Sequence, residues 1–267
     1  MDVRPIGIFD SGVGGLTVTG RVMQVMENEK IVYFGDTARV PYGSKGKDTI
    51  TRFSCQDVRF LLSQDVKAVI VACNTASSNS LDYLKSTFDV PVFGVVEPGA
   101  AEASKVTKNK KIGIIATEAT IRSGAYEKEI KKADSSIEVF SKACPLFVPL
   151  AEEGWCNNEI ARLTAEKYLA PLLEKGVDTV ILGCTHYPLL RSCIQSVVGE
   201  NVTLVDPAYE TAVRVREYLN KNGMLREENT KAEHKFFVSD TTSMFDRICS
   251  EALKENYQAT EINIEEY

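Results

Sequence analysis

The sequence lacks the features that mark membrane, secreted and nucleic-acid-binding proteins. No apolar run approaches the ~20 residues that a membrane helix needs. The first residues do not have the basic and then apolar layout of a signal peptide. Lysine and arginine total 31 against 37 aspartates and glutamates, and this net charge of -6 argues against a broad nucleic-acid footprint. We therefore expect a cytoplasmic protein with neither a membrane nor a nucleic acid as partner.

Motifs for metals and nucleotides are also missing. The 7 cysteines include no Cys-x-x-Cys pair and there are only 2 histidines, so a structural zinc site is not expected. The glycine-rich turn DSGVGG (residues 10–15) has the spacing neither of Gly-x-x-x-x-Gly-Lys nor of the dinucleotide fingerprint. Widely spaced cysteines in odd number, without a secretion signal, indicate free thiols. The sequence predicts no metal and no cofactor.

Short apolar runs alternate with amphipathic stretches along a chain of 267 residues, which is long enough for about two domains. This alternation is typical of βαβ units and of one or two mostly parallel sheets. The predicted strands cover residues 6–10, 31–35, 69–73, 92–96, 111–117, 137–140, 180–184, 202–205 and 235–238. The predicted helices cover residues 16–26, 48–64, 79–88, 121–131, 159–173, 209–222 and 241–254, with an irregular stretch at 144–157 and a linker at 223–233.

An internal repeat indicates two similar lobes. Residues 6–11 (IGIFDS) resemble residues 112–117 (IGIIAT), and residues 69–73 (VIVAC) resemble residues 180–184 (VILGC). We therefore expect an α/β fold of two lobes, each a mostly parallel sheet flanked by helices, with the active site in the cleft between them. Residues 1–97 and 208–267 would form the first lobe, which carries Cys73. Residues 98–207 would form the second lobe, which carries Cys184.

The two repeated strands each end in a cysteine, at the position where open α/β sheets bind ligands. Two thiols that face each other can act as matched base and acid, one removing a proton while the other supplies one from the opposite side. Such an exchange inverts a stereocentre, as a cofactor-independent racemase requires. The proton on a substrate α-carbon is weakly acidic, so the site must also stabilise a carbanion and orient the substrate carboxylate.

Four motifs together resemble those of the glutamate racemase family. They are DSGVGG (residues 10–15), GD with PYG (residues 35–36 and 41–43), ACNTAS (residues 72–77) and GCTHYP (residues 183–188). They occur in the expected order, and the chain length also fits. The resemblance implies a two-lobed enzyme, an isomerase that interconverts L- and D-glutamate without pyridoxal phosphate. It also implies that the product D-glutamate serves peptidoglycan synthesis, and hence cell-wall biogenesis and cell shape in bacteria.

The resemblance implies roles for the residues around the thiols. Cys73 would deprotonate D-glutamate and Cys184 would deprotonate L-glutamate. Asp10 and His186 would support the thiols in their changes of protonation.

A second group of residues is expected to shape the site or to hold the substrate. Asp36 and Glu152 are candidates for proton handling or site structure. Thr117 is the counterpart of Ser11 in the internal repeat, so it too is expected to touch the substrate. The residues expected to bind glutamate are Asp10, Ser11, Pro41, Tyr42, Gly43, Asn74, Thr75, Thr117, Thr185 and His186.

Several alternatives stay open at this stage. The substrate can be another acidic amino acid such as aspartate, or the chain can be a non-catalytic amino-acid binder or regulatory relative. A metal site at Cys73, Cys184 and His186 would need further ligands that the sequence does not offer. A redox disulfide between the two thiols conflicts with opposed positions, since it needs Cα atoms within about 7 Å. The helical faces are compatible with a homodimer.

Overall fold

The computed structural model describes residues 2–227, 232–241 and 243–267. Strands and helices alternate along most of the described chain. The strands are β1 (Ile6–Asp10), β2 (Ile31–Gly35), β3 (Ala68–Val71), β4 (Val92–Gly94), β5 (Lys111–Ala116), β6 (Glu138–Ala143), β7 (Thr179–Gly183), β8 (Thr203–Val205), β9 (Lys235–Val238) and β10 (Ala259–Glu261). The α-helices are α1 (Leu16–Val25), α2 (Lys47–Ser63), α3 (Asn74–Thr87), α4 (Val96–Val106), α5 (Glu118–Ser123), α6 (Ala125–Ala133), α7 (Phe147–Glu152), α8 (Glu159–Glu174), α9 (Arg191–Val198), α10 (Pro207–Lys221) and α11 (Ser243–Leu253).

The strands form two sheets in which the paired strands run parallel. The first sheet has the order β10-β9-β2-β1-β3-β4 and the second has the order β6-β5-β7-β8. Helices cover both sheets, and apolar clusters lie on the two faces of each. The predicted α/β fold of two parallel sheets flanked by helices is therefore confirmed. We call each sheet with its helices the first and the second lobe; the exact lobe boundaries at residues 97 and 207 stay a prediction.

The Ile-Gly-Ile repeat lies on the central strands β1 and β5, where helical layers pack closely. A Cβ atom on Gly7 would lie 3.1 Å from side-chain atoms of Leu61 and Val66. A Cβ atom on Gly113 would lie 3.2 Å from side-chain atoms of Leu172 and Val180. Each glycine thus lets apolar side chains settle directly on the strand, which explains why the repeat combines β-branched residues with one glycine.

The sheet order brings the functional motifs together. β1 pairs with β3 in the first sheet, and β5 pairs with β7 in the second. Because the carboxyl ends of parallel strands share one edge, the DSGVGG turn lies beside Cys73, and Thr117 lies beside Cys184. This arrangement sets the geometry of the site.

Several boundaries differ from the sequence prediction. α4 was not expected, and α7 lies in the stretch predicted to be irregular. α3 begins at Asn74 rather than at residue 79, and the single helix predicted at residues 121–131 is divided at Gly124, whose φ of 66° suits glycine. β10 was also missed. The predicted linker at 223–233 and helix at 241–254 include residues 228–231 and Thr242, which lie outside the described residues.

Among the residues that the structure describes, no helix combines the length and the apolar character that a membrane crossing demands.

A buried ion pair joins distant parts of the first lobe. Lys67 Nζ lies 2.7 Å from Glu29 Oε2, and each residue is only 1% exposed. The same ammonium donates to the carbonyl oxygens of Asp2 at 2.8 Å and Met224 at 2.7 Å. The Lys67 side chain therefore connects the start of β3 to three other segments, which are the chain before β1, the chain before β2 and the chain after α10.

Replacing Lys67 by alanine should destabilise the protein by about 3–5 kcal/mol, because the Glu29 carboxylate stays buried without its counter-charge. Chemical denaturation measures this loss. Lys85→Ala on the exposed side of α3 is the control and should stay within about 0.5 kcal/mol of the wild type. Similar free energies of unfolding for the two variants would contradict the expected cost of breaking the Lys67–Glu29 ion pair.

Candidate active site

Both predicted thiols lie at the carboxyl end of a central strand. Cys73 follows β3 and caps α3, where its sulfur accepts a hydrogen bond from the Ala76 N–H at 3.5 Å. Cys184 follows β7. Their exposed fractions are 4% and 7%, so each thiol is almost excluded from solvent. One thiol comes from each sheet, as the repeat predicts.

Cys73 lies among groups that keep it protonated. Its thiol donates a hydrogen bond to Ser11 Oγ at 3.3 Å. Burial, followed by the negative charge of Asp10, raises the pKa of the Cys73 thiol to about 12, and the charge of Cys184 adds to this effect. Cys73 is therefore a neutral thiol at neutral pH, able to act as a proton donor.

Cys184 begins a chain of contacts to a carboxylate. Its sulfur lies 3.9 Å from His186 Nδ1, and His186 Nε2 lies 3.1 Å from Glu152 Oε1 at the end of α7. Burial opposes protonation of His186, but the hydrogen bonds to Cys184 and Glu152 outweigh it and raise the pKa of the imidazole to about 10. A protonated His186 donates at both nitrogens, which makes the Cys184 sulfur the acceptor in their contact.

Asp10 lies at the boundary between the lobes and is fully buried. Its carboxyl accepts from the Gly12 N–H at 3.1 Å and from Thr185 Oγ1 of the second lobe at 3.4 Å. Burial raises the pKa of Asp10, while the charge of His186 and the N–H groups of the glycine turn oppose that rise. Asp10 thus interacts electrostatically with Cys73 in the first lobe and with Thr185 and His186, the neighbours of Cys184, in the second.

The glycine turn allows the two lobes to touch. A Cβ atom on Gly14 would lie 2.5 Å from both His186 Nδ1 and Thr185 Oγ1, so a larger residue would push these side chains away. Next to it, Thr17 Oγ1 donates to the Thr185 carbonyl at 3.0 Å. The glycines of the DSGVGG motif therefore allow the two lobes to pack closely against each other.

A cluster of three threonine hydroxyls crosses the cleft at the starts of α3 and α5. Thr75 Oγ1 lies 2.9 Å from Thr117 Oγ1 and 3.3 Å from Thr120 Oγ1, and the latter two are 3.0 Å apart. Gly43 closes the cluster, since a Cβ there would lie 2.7 Å from Thr117 Cβ. Thr120 was missed in the sequence, although its position three residues after the N-cap Thr117 places it on the same side of the turn.

Asn74 is held by a residue of the opposite lobe that sequence reasoning also missed. The Tyr126 hydroxyl on α6 donates to Asn74 Oδ1 at 2.6 Å. Burial raises the pKa of Tyr126 well above its ordinary range, so it remains a donor. The amide NH₂ of Asn74 is thereby oriented as a hydrogen-bond donor.

Asp36 lies in a separate buried cluster below the Tyr42–Gly43 turn rather than beside a thiol. It accepts from Arg39 Nε at 2.7 Å and Ser239 Oγ at 2.8 Å, and also from the Tyr42 hydroxyl. This geometry favours a role of Asp36 in the structure of the site over a role in proton handling. Pro41 precedes the turn and is exposed.

The void that borders Cys184, Thr185 and Asn74 has a volume of about 10 Å³. A void of that size holds about one water molecule. Among the described residues, no group of three or more His, Cys, Asp and Glu side chains is arranged to hold a metal ion, which gives the alternative metal site no support.

The sequence pattern of Asp/Glu/Hydantoin racemases matches residues 14–215. The chain belongs to the Asp/Glu/Hydantoin racemase family. The predicted family resemblance is therefore confirmed.

Similar members of the Asp/Glu/Hydantoin racemase family share nearly the whole chain. A glutamate racemase of Geobacter metallireducens is 52% identical over 93% of this chain and 92% of its own length. A glutamate racemase of Thermoanaerobacter is 48% identical over 100% of both chains. The crystal structure of Francisella tularensis glutamate racemase in complex with D-glutamate superposes with a TM-score of 0.93, at 38% identity and with 100% of both chains covered.

The raised pKa of His186 predicts that this imidazole keeps its proton at neutral pH and loses it near pH 10. Below the unfolded value of 6.5 the resulting stabilisation is fully present, and it is lost as the pH rises through about 10. Histidine nitrogen NMR measures the titration directly, and His186→Gln assigns the signal because only 2 histidines exist. Glu152→Gln should lower the midpoint. A wild-type midpoint at or below 6.5 would contradict this assignment.

Proposed function

We propose that the protein is a cofactor-independent glutamate racemase that works with Cys73 and Cys184 as its two bases. The observation that carries the proposal is that one almost fully buried thiol enters the same site from each sheet, with different proton-handling partners. The high identity to proteins named glutamate racemase, over whole chains, supports glutamate as the substrate.

The reaction begins with the α-proton of L-glutamate. The sulfur of Cys184, as a thiolate, takes this proton, and the electron pair of the broken C–H bond stays on the α-carbon, delocalised into the α-carboxylate. The Cys73 thiol then donates its proton to the opposite face, which forms the new C–H bond of D-glutamate. Afterwards Cys184 is a thiol and Cys73 is a thiolate, so the reverse direction uses the same groups in exchanged roles.

The surroundings of the two thiols support this assignment. The pKa of about 12 keeps the proton on Cys73, the acid for L-glutamate. Protonated His186 presents a donor to the Cys184 sulfur, the base for L-glutamate. Asp10, whose pKa burial raises, is placed to respond to protonation changes at Cys73. Glu152 supports the proton on His186.

Neutral donors near the thiols are suited to the substrate carboxylates. The three threonine hydroxyls and the Asn74 amide lie together at the starts of α3 and α5. Ser11 and Thr185 add hydroxyls beside the two thiols. The hydroxyl–hydroxyl hydrogen bonds join the two lobes, so glutamate enters when the lobes move apart, after which a carboxylate replaces these bonds.

We place this activity in the cytoplasm, where D-glutamate would be made for peptidoglycan. The odd number of cysteines, which suits a reducing compartment, supports that location.

The first test incubates the protein with D- or L-glutamate in D₂O without cofactors and follows optical rotation and deuterium at the α-carbon. Wild-type protein should racemise both enantiomers and label the inverted product. Cys73→Ala and Cys184→Ala should each lower kcat by about 10²–10⁴-fold in both directions, because each removes a general acid or base. Cys193→Ala on α9, the same change at a buried thiol outside the site, is the control.

Near-normal racemisation by either site variant would contradict the two-base mechanism. Inversion of aspartate but not of glutamate would show that the substrate is aspartate. Binding of glutamate with its α-hydrogen left in place would instead identify an amino-acid binder.

A further inference from the structure

Below the Tyr42–Gly43 turn lies a buried cluster with two carboxyl groups and one guanidinium. Asp36 and Asp57 are both fully buried, and Arg39 contacts each of them, at 2.7 Å and 3.1 Å. The Tyr42 side chain is 1% exposed, and its hydroxyl contacts Asp36 and also Asp57 Oδ2, the latter at 3.1 Å. Glu265, largely exposed, reaches Arg39 from the carboxyl-terminal segment at 3.3 Å.

The hydrogen-bond donors available in this cluster indicate which of its two carboxyl groups carries a proton. A tyrosine hydroxyl has one proton and therefore donates to one carboxyl at a time. Asp36 receives donors from Arg39 and Ser239, so it is the natural anion and the natural acceptor for Tyr42. The second oxygen–oxygen contact, between Tyr42 and Asp57, then needs a proton that only the Asp57 carboxyl can supply.

We propose that Asp57 is a neutral carboxylic acid that donates its proton to the Tyr42 hydroxyl, which in turn donates to Asp36. The other Asp57 oxygen accepts from Arg39 Nη2. Asp57 is then a positioning residue that acts through Tyr42 on the substrate site. Only the kinetic consequences rest on the proposed racemase function.

Charge balance agrees with this arrangement. Two buried carboxylates would leave one uncompensated negative charge beside a single guanidinium, which is costly in the interior. Burial raises the pKa of Asp57 well above its usual range, the charge of Asp36 raises it further, and Arg39 offsets only part of this. With one anion and one cation, the buried part of the cluster is neutral, while the Glu265 carboxylate lies largely in solvent.

The cluster reaches the substrate site through the short turn Tyr42–Ser44. The Tyr42 ring packs against Phe53 with a centroid separation of 5.6 Å, so the ring and the hydroxyl are both held. The next residue, Gly43, touches Thr117 of the opposite lobe. Two residues further on, the Lys45 carbonyl accepts from Arg122 Nη2 at 3.1 Å. A displaced Tyr42 would therefore move the turn that completes the threonine cluster.

Infrared spectroscopy tests the proton on Asp57 without any need for activity. The difference between wild-type and Asp57→Asn spectra at neutral pH should contain the carbonyl band of a protonated carboxylic acid. The matched variant Asp36→Asn should remove a carboxylate band instead. A carboxylate band lost in Asp57→Asn would overturn the proposal.

Conservative replacement tests the positioning role. The side-chain amide that Asp57→Asn introduces can donate to Tyr42 and accept from Arg39, as the neutral carboxylic acid does, so this variant should keep the glutamate KM within about twofold. Asp57→Ala loses the donor and should raise KM about tenfold, with a smaller change in kcat. In a Tyr42→Phe background, Asp57→Ala should add less than about twofold, because its effect passes through the lost hydroxyl.

The backbone amide shifts of Gly43 and Thr117 provide a readout that needs no turnover. They should move in Asp57→Ala and stay close to wild type in Asp57→Asn. Equal effects of the two replacements on KM or on these shifts would refute the donor role of Asp57. If the wild type does not racemise glutamate, the proposed function fails, while the infrared bands and amide shifts still decide the role of Asp57.

Discussion

Hydrogen bonding between buried polar groups of opposite lobes is the constraint on which this structure depends. Asp10 needs Thr185, Thr75 needs Thr117, and Asn74 needs Tyr126, each across the cleft. A buried polar group left without a partner costs about 1–3 kcal/mol, so the closed arrangement is favourable only when these pairs form together. Opening the cleft exchanges them for contacts with water, and in the proposed reaction the substrate carboxylates offer the hydroxyl donors a stronger acceptor on closure. Under the proposed function, the threonine contacts that join the lobes are thus also contacts that a substrate carboxylate takes over.

The two lobes repeat one fold, yet they treat their thiols differently. The first places a hydroxyl and a buried carboxyl beside Cys73, which keep the proton on sulfur. The second places an imidazole backed by Glu152 beside Cys184, which keeps the proton on nitrogen. A racemase needs this asymmetry at each moment and its reversal after each turnover, because one thiol must hold the proton that the other lacks. Similar strands supply symmetrical positions, and the residues that follow them supply different proton-handling partners.

The sequence was sufficient to predict the features that depend on local pattern. Alternating strands and helices, the Ile-Gly-Ile repeat and the two strand-end thiols all follow from residue order. α4 was missed because Pro98 and Gly99 resemble a chain break, although proline is tolerated in the first turn of a helix. The partners Tyr126 and Asp57 were missed for a different reason. Each acts through a contact with a residue distant in the chain, and residue order alone does not specify such contacts.

In the proposed reaction, the burial of both thiols links lobe motion to the origin of the transferred proton. Cys73 and Cys184 are only 4% and 7% exposed, so the closed cleft gives both thiols little access to solvent. In the proposed reaction, Cys73 therefore acquires the proton that it delivers while the lobes are apart, and the proton that Cys184 removes leaves after they separate again. Each catalytic cycle of the proposed reaction then needs opening both to exchange substrate for product and to reset the thiols. Because both events use the same motion, the hydrogen bonds between lobes regulate substrate exchange and proton exchange together.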